Sequence, residues 1–261
     1  MINPVKNLTI PAINYLGRKK CQREFSRTPV IIGACPRSGT TLLISILSAH
    51  PALFTIKKES WAFVKWNKSQ SNGSLQATYH PARIDRFYRY IYFHRIPDET
   101  TRWCEKTPRN VVYFKRILDY FHGNIKLIHI VRDGRDVLTS RHPKSPSEYW
   151  VDPQRWVYDV GIGLKFRDLP QVYTLKYEDL IQNYSSTIRK IFEFIGEPYH
   201  PNLDNWFQHT ELSRPESLFK PVQKIHRNSI GKWKQEKYRS RVREIMEIDD
   251  VVELLGRLNY I

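Results

Sequence analysis

The run Pro29-Val30-Ile31-Ile32-Gly33-Ala34-Cys35, followed at once by Pro36-Arg37-Ser38-Gly39-Thr40-Thr41, constrains this chain more than any other stretch. A short β-branched run that ends in turn residues reads as a buried strand. Leu42, Leu43, Ile46 and Leu47 then recur at helical spacing, and the pattern closes near Ala49-His50-Pro51. The order is strand, tight loop, helix. Ile125 to Val131 reads as a second strand, leading through Arg132-Asp133-Gly134 into a helix from about Arg135 to Arg141. Gln171 to Tyr177 reads as a third, followed by a helix around Ser185 to Ile195 that Gly196 and Pro198 end. Strands alternating with helices imply an α/β fold, a central parallel sheet with helices on both faces.

A loop joining a buried strand to a helix presents free backbone N–H groups at the positive end of the helix dipole, which suits an anion. Gly39 allows close approach, and the Thr40 and Thr41 hydroxyls add donors. The fold expected is therefore three-layered and P-loop NTPase-like. The loop is not a strict Walker A, G-x-x-x-x-G-K-S/T. Five residues separate Gly33 from Gly39, and Thr40 stands where the lysine belongs. That lysine serves β- and γ-phosphates, so its absence argues against ATP or GTP hydrolysis and disfavours a P-loop small-molecule kinase. Arg37 can instead offer its fork of donors to a single phosphate or sulfate group. Arg132 closes the second strand, and Ser140 follows eight residues on. Such strand ends line the ligand crevice of a parallel sheet. A cation and a hydroxyl there suit a second phosphate.

Charge agrees in sign. Lys and Arg number 42 against 26 Asp and Glu, a formal surplus of +16. The cations spread from Arg18 to Arg257, with a dense patch at Lys232, Lys234, Lys237, Arg239, Arg241 and Arg243. An anionic ligand is indicated without its identity. A basic nucleic-acid-binding protein is a rival reading. It leaves the Arg37 loop and the Arg132/Ser140 pair unexplained, and no zinc-finger, RRM or KH signature is present. No nucleic-acid partner is therefore expected.

No repeat, Gly/Ser linker or composition shift divides the 261 residues. The expected organisation is an N-terminal extension over 1–28 and a single domain over 29–261. Pro4, Lys6, Pro11 and Arg18-Lys19-Lys20 break up the extension, which reads as neither signal peptide nor anchor. No stretch approaches the roughly 18 apolar residues of a membrane span. Three scattered cysteines, Cys21, Cys35 and Cys104, argue against a disulfide framework and for a cytoplasmic protein. No carboxylate or His/Cys cluster has metal-ligand spacing, so no metal is expected. Residues 81 to 95, rich in Arg, Phe and Tyr, read as a helix that either lines a lid or packs in the core. Glu211 to Lys232 reads as a long ordered loop.

These residues resemble the sulfotransferases that use 3′-phosphoadenosine-5′-phosphosulfate (PAPS). Pro36 to Leu42 resembles that family's 5′-phosphosulfate loop, and Ile130 to Val137 with Ser140 resembles its 3′-phosphate motif. Trp103-Cys104-Glu105-Lys106-Thr107-Pro108 is similar to its Lys-Asp/Thr-Pro segment. Tyr177-Glu178-Asp179-Leu180 with Phe194-Ile195-Gly196 is similar to its Tyr-Glu-x-Leu … Phe-Leu-Gly stretch. Lys220-Pro221-Val222 and Gly231-Lys232-Trp233 resemble its late nucleotide-closing loop. The branch resembled most is that of protein-tyrosine and many bacterial sulfotransferases.

The resemblance implies transfer of a sulfuryl group from PAPS to an acceptor hydroxyl by in-line displacement. It implies Arg37, Ser38, Gly39, Thr40 and Thr41 at the 5′ end of the nucleotide, Arg132 and Ser140 at the 3′-phosphate, Tyr177 at the adenosine, and Lys232 as a late cation. Lys106 resembles the lysine that contacts the transferring group, and Glu59 the catalytic base. His50 and His129 are rival bases, with a capping role favoured for the first and a core role for the second. Ser213 or Ser217 is a candidate late serine, and Lys144 a candidate for the phosphate rim. The acceptor leans towards a carbohydrate or other alcohol, with peptide tyrosine second. Trp150 and Trp156 are either acceptor-site or core residues.

Overall fold

Residues 4–66, 77–142, 145–210 and 227–261 are described by the structure, a computed structural model. Helix α1 (Pro4–Glu24) leads into strand β1 (Val30–Ala34), which the loop 35–39 joins to helix α2 (Thr40–Leu47). Strand β2 (Leu53–Thr55) follows, then an antiparallel ribbon of β3 (Val64–Trp66) and β4 (Ala77–Tyr79), then helix α3 (Asp85–Phe93). Strand β5 (Arg102–Lys106), helix α4 (Phe114–Tyr120), strand β6 (Lys126–Val131), helices α5 (Gly134–Leu138) and α6 (Pro153–Leu164) and strand β7 (Val172–Lys176) come next. The chain finishes in helices α7 (Tyr177–Gln182), α8 (Tyr184–Ile195), α9 (Trp206–His209), α10 (Arg239–Met246) and α11 (Asp249–Arg257).

The main sheet runs β2-β5-β1-β6-β7, every neighbour parallel. The three strands read from the sequence are its central and right-hand members. All five residues of β1 are buried, as a parallel strand covered on both faces requires. Val30, Ile32 and Ala34 face α2 and α8, through Leu43, Leu47, Ile188 and Ile191. Ile31 faces α3 and α4, through Phe87, Ile91, Phe114 and Ile117. Val131 at the end of β6 packs with Trp156 of α6 and Leu254 of α11. The connections after β1 and β6 therefore leave on opposite faces, although the two strands are neighbours. That divergence opens a crevice at their carboxyl ends.

Register brings those ends level. Ala34 pairs with Ile130, Ile32 with Lys106, and Val131 with Lys176. Cys35, Lys106, Arg132 and Tyr177 consequently leave the sheet along one edge.

Several elements depart from the sequence reading. No element was expected over 1–28, yet α1 is continuous through Pro11. Its packing on α3 is the cause: a Cβ on Gly17 would lie 2.1 Å from the Tyr88 carbonyl oxygen, and Asn14 donates to Asp85 at 3.0 Å. The helix after β6 stops at Leu138, short of Arg141. The Thr139 and Ser140 hydroxyls bond back to the carbonyls of Arg135 and Asp136, which disfavours continuation. Residues 81 to 95 begin as a 3-10 turn, Pro81–Ile84, before α3. Ile84, Phe87 and Ile91 pack in the core, with Phe87 4.2 Å from the Trp103 ring, while Tyr92 and Phe93 are exposed. No helix among the described residues is long and apolar enough to cross a membrane.

Candidate active site

Gly39 takes φ 100°, and Arg37 takes φ 72°, a region that costs a non-glycine residue. The two bends fold the loop tightly enough to start α2 at Thr40. No side chain caps α2, so its first-turn amides remain available to an anion. A side chain at 39 has no room, since its Cβ would sit 2.3 Å from the Tyr177 ring.

A cleft of about 260 Å³ opens here, lined among others by Arg37, Thr41, Glu59, Arg132, Trp150 and Tyr177. Gly39, Thr40 and Pro108 also line it. A larger cavity, about 430 Å³, surrounds His50, Asp98, Glu99 and His209 near the start of β2. Among the described residues no lysine or arginine lines it.

Two charged arrangements face each other across the cleft. On one side, the Lys106 ammonium lies 2.9 Å from Glu59 Oε1 and 3.4 Å from Thr41 Oγ1. On the other, Arg132 Nη1 donates to the carbonyl of Arg37 at 2.9 Å, and Nη2 donates to that of Ser229. The Arg132 guanidinium also lies 4.5 Å from the Tyr177 ring centroid, a cation–π distance. Arg37 stands 5.5 Å from the Trp150 ring.

Lys232 belongs to this second side. Its side chain is exposed overall, yet desolvation of the ammonium pushes its pKa below the usual lysine range. The positive charge of Arg132 adds to that shift, Asp136 opposes it, and Arg37 and Lys237 reinforce it. Cations held against their own repulsion are a site that an anion relaxes.

Asp136 assembles that side, and sequence reasoning missed it. Its carboxylate accepts the N–H of Gly231 at 2.8 Å and of Trp233 at 3.1 Å, and lies 3.6 Å from Arg132. Its carbonyl accepts the Ser140 hydroxyl at 2.9 Å. The Trp233 ring lies 3.9 Å from the Arg135 guanidinium, which pairs with Asp133 at 2.8 Å. The available signal was the four-residue spacing of Arg132 and Asp136 across the start of α5.

Other expected residues fall as follows. The Ser38 hydroxyl is sealed from solvent, and its N–H donates to the Cys35 carbonyl at 3.3 Å. Ser140 and Lys232 lie beside the cleft rather than in its lining. His50 accepts the Ala52 N–H at 3.1 Å, beyond the end of α2, and its other ring nitrogen lies 3.0 Å from the Pro198 carbonyl. His129 is wholly buried in β6. Trp150 lines the cleft and Trp156 is core. Lys144, Ser213, Ser217 and Lys220-Pro221-Val222 lie outside the described residues. Among those described, no group of His, Cys, Asp or Glu gathers for a metal.

Comparison with known proteins gives a consistent result. A model described as "Sulfotransferase family" matches residues 29–201. An uncharacterised protein of Aquifex aeolicus is 25% identical over 256 residues, covering 88% of this chain and 34% of its own length. A protein-tyrosine sulfotransferase of Drosophila melanogaster is 25% identical over 262 residues, covering 87% of this chain and 51% of its own length. The chain thus spans only about a third and about a half of these relatives. Among solved structures, the sulfotransferase domain from the curacin biosynthetic pathway superposes with a TM-score of 0.60. It shows 18% identity and covers 90% of this chain and 99% of that one. Mouse sulfotransferase SULT7A1 complexed with PAP gives 0.51, with 14% identity and coverage of 93% and 92%. At such identities these likenesses establish the shared fold.

Proposed function

Because the chain belongs to the sulfotransferase family, we propose that it moves a sulfuryl group from PAPS to an acceptor hydroxyl, with Glu59 as general base. One observation carries the proposal: Arg37, Arg132 and Glu59 line a single cleft where the connections after β1 and β6 diverge. PAPS, when bound, supplies the sulfuryl group and the leaving 5′-phosphate. Residues 29–261 are read as one such domain and 1–28 as an extension of it.

The residues fit a doubly anionic nucleotide. The uncapped α2 N-terminus, Gly39, Thr40 and the Arg37 fork hold its 5′ end. Arg132, Ser140 and Lys232 hold the 3′-phosphate, and Tyr177 flanks the adenosine between them. As in phosphoryl transfer, the protein aligns groups and stabilises developing charge rather than forming bonds. Lys106 places a cation beside both Thr41 and Glu59. Glu59 Oε1 is the acceptor for the hydroxyl proton. No metal is required by these roles.

For the acceptor, a carbohydrate or another alcohol is the first reading, since Trp150 gives the cleft an aromatic wall on which a sugar ring can lie. A tyrosine-bearing peptide is the second, favoured by the fly relative's name. Thermal shift with adenosine 3′,5′-bisphosphate, ADP with magnesium, and single-stranded DNA tests the nucleotide. A ligand that binds only the folded state raises the melting temperature. The first alone is expected to do so; stabilisation by ADP with magnesium alone would indicate a kinase. Radiolabelled PAPS with a methyl hexoside, para-nitrophenol and acetyl-tyrosine amide then decides the acceptor.

A further inference from the structure

Glu105 is a buried carboxylate that the transfer chemistry does not use. It sits on β5 beside Lys106, and Ser60 sits beside Glu59. These two consecutive pairs meet rung by rung. Lys106 reaches Glu59 at 2.9 Å, while Glu105 Oε1 accepts the Ser60 hydroxyl at 2.8 Å and the Ser60 N–H at 3.3 Å. Successive strand residues point to opposite faces, so one rung lies in the cleft and the other in the core behind it.

The second rung is heavily braced. The Thr107 hydroxyl donates to Glu105 Oε1 at 2.5 Å and accepts the Trp61 N–H at 3.2 Å. Ser60 Oγ accepts the Ala62 N–H at 3.1 Å. Asn110 Nδ2 donates to Glu105 Oε2 at 2.7 Å and to the Ile32 carbonyl of β1 at 3.4 Å. Among the described residues Glu105 has no ion-pair partner; neutral donors alone hold it. Burial pushes its pKa up, and the bonds from Thr107, Ser60 and Asn110 oppose that shift. An acceptor-only group suits this position because the surrounding groups present donors.

The segment 59–61 has no helix or strand to hold it. Trp61 moreover takes φ 51°, a conformation that persists only where neighbours impose it. The neighbours bonding the segment are Thr107 at the Trp61 N–H, Arg83, whose Nε donates to the Trp61 carbonyl at 3.0 Å, and Glu105 through Ser60. A base must stand within hydrogen-bond reach of the proton it removes, and small misplacements of a catalytic group are costly.

We propose that Glu105 is a positioning residue that clamps the 59–61 segment against β5 and thereby sets where the Glu59 carboxylate stands relative to Lys106. This rests on the reading of Glu59 as the base. The clamp's bonds run among residues 60–62 and 105–110 and to the Ile32 carbonyl of β1, on the Lys106 side of the cleft and away from Arg132 and Lys232. Its loss should therefore appear in turnover and in the pH profile, not in nucleotide affinity.

Four variants test it: Glu59→Gln, Glu105→Gln, Thr107→Val and Ser60→Ala. Each is assayed with PAPS and the most reactive acceptor of the panel above, water serving if none reacts. Ser60→Ala, on a half-buried loop, keeps the test readable if Glu105→Gln does not fold. The expected result is a kcat lowered about tenfold or more in the three clamp variants, with a displaced acid limb of the pH–rate profile. The Kd for adenosine 3′,5′-bisphosphate should stay within about twofold of the parent protein. An active Glu59→Gln protein overturns the base reading, and this inference with it. An inactive Glu59→Gln beside clamp variants of unchanged kcat and pH profile overturns the inference alone. Nucleotide affinity falling in step with kcat also overturns it, since the role would then be general support of the fold.

Discussion

Arg132 Nη1 donates to the carbonyl oxygen of Arg37 at 2.9 Å, joining two residues that stand 95 positions apart in the chain. The bond links the end of β6 to the bend that opens α2. Through Nη2 the same guanidinium reaches Ser229, and through Asp136 it meets the docked segment Gly231 to Trp233. The two ends proposed for the nucleotide are thus mechanically connected through one side chain.

Arg132→Ala should weaken adenosine 3′,5′-bisphosphate by roughly 10- to 100-fold, the range for losing hydrogen bonds to a charged group. AMP, which lacks the 3′-phosphate, should lose less. Isothermal titration of both ligands checks this, and equal losses would refute the 3′-phosphate assignment.

Arg37→Ala and Lys106→Ala each remove a donor proposed to meet charge that develops during transfer. Loss of one such donor typically raises the barrier by about 3 kcal/mol, so kcat should fall roughly a hundredfold or more in each. Circular dichroism should remain that of the parent protein. Unchanged kcat in either variant removes that residue from the mechanism.

Gly39→Ala combines a left-handed φ with a Cβ 2.3 Å from the Tyr177 ring. Together the strain and the overpacking should lower stability by about 1–3 kcal/mol. Adenosine 3′,5′-bisphosphate should also stabilise the variant less. Urea denaturation with and without the nucleotide measures both. A variant as stable and as responsive as the parent would show that the loop has another conformation open to it.

His129 carries a pH dependence. Burial alone pulls its imidazole from 6.5 down to about 3, and among the described residues neither ring nitrogen has a hydrogen-bond partner. Above pH 6.5 it is neutral both folded and unfolded and contributes no slope. Below that, the unfolded chain takes up a proton that the folded one refuses. Stability then falls by up to about 1.4 kcal/mol per pH unit until pH nears 3. His129→Leu should flatten this acid slope between about pH 6 and pH 4 in urea midpoints. Identical slopes in the two proteins would show that the imidazole is protonated in the folded state.

Much of the sheet was legible because its signals are local. The β-branched runs at 30–34, 126–131 and 172–176 each end in turn chemistry and pass into a helical pattern. The three-residue strand β2 gave no such run, and its place beside β5 depends on pairing alone. Helix α1 was missed for a related reason: Pro11 argues against it locally, and only packing on α3 outweighs that. Within the candidate site, Arg37, Arg132, Lys106 and Glu59 were named from motif and resemblance. Asp136 and Glu105 were not, because each works through partners distant in sequence.

Residue order along the chain therefore sufficed for the strand–loop–helix units, the sign of the ligand's charge and the family. It did not say that Lys106 meets Glu59, that Asp136 receives Gly231 and Trp233, or that Ser38 turns inward. Those meetings follow from the spatial order β2-β5-β1-β6-β7, which sets distant strand ends side by side. Periodicity and turn chemistry act over a few residues, whereas side-chain encounters across a sheet depend on how whole layers bury their apolar faces.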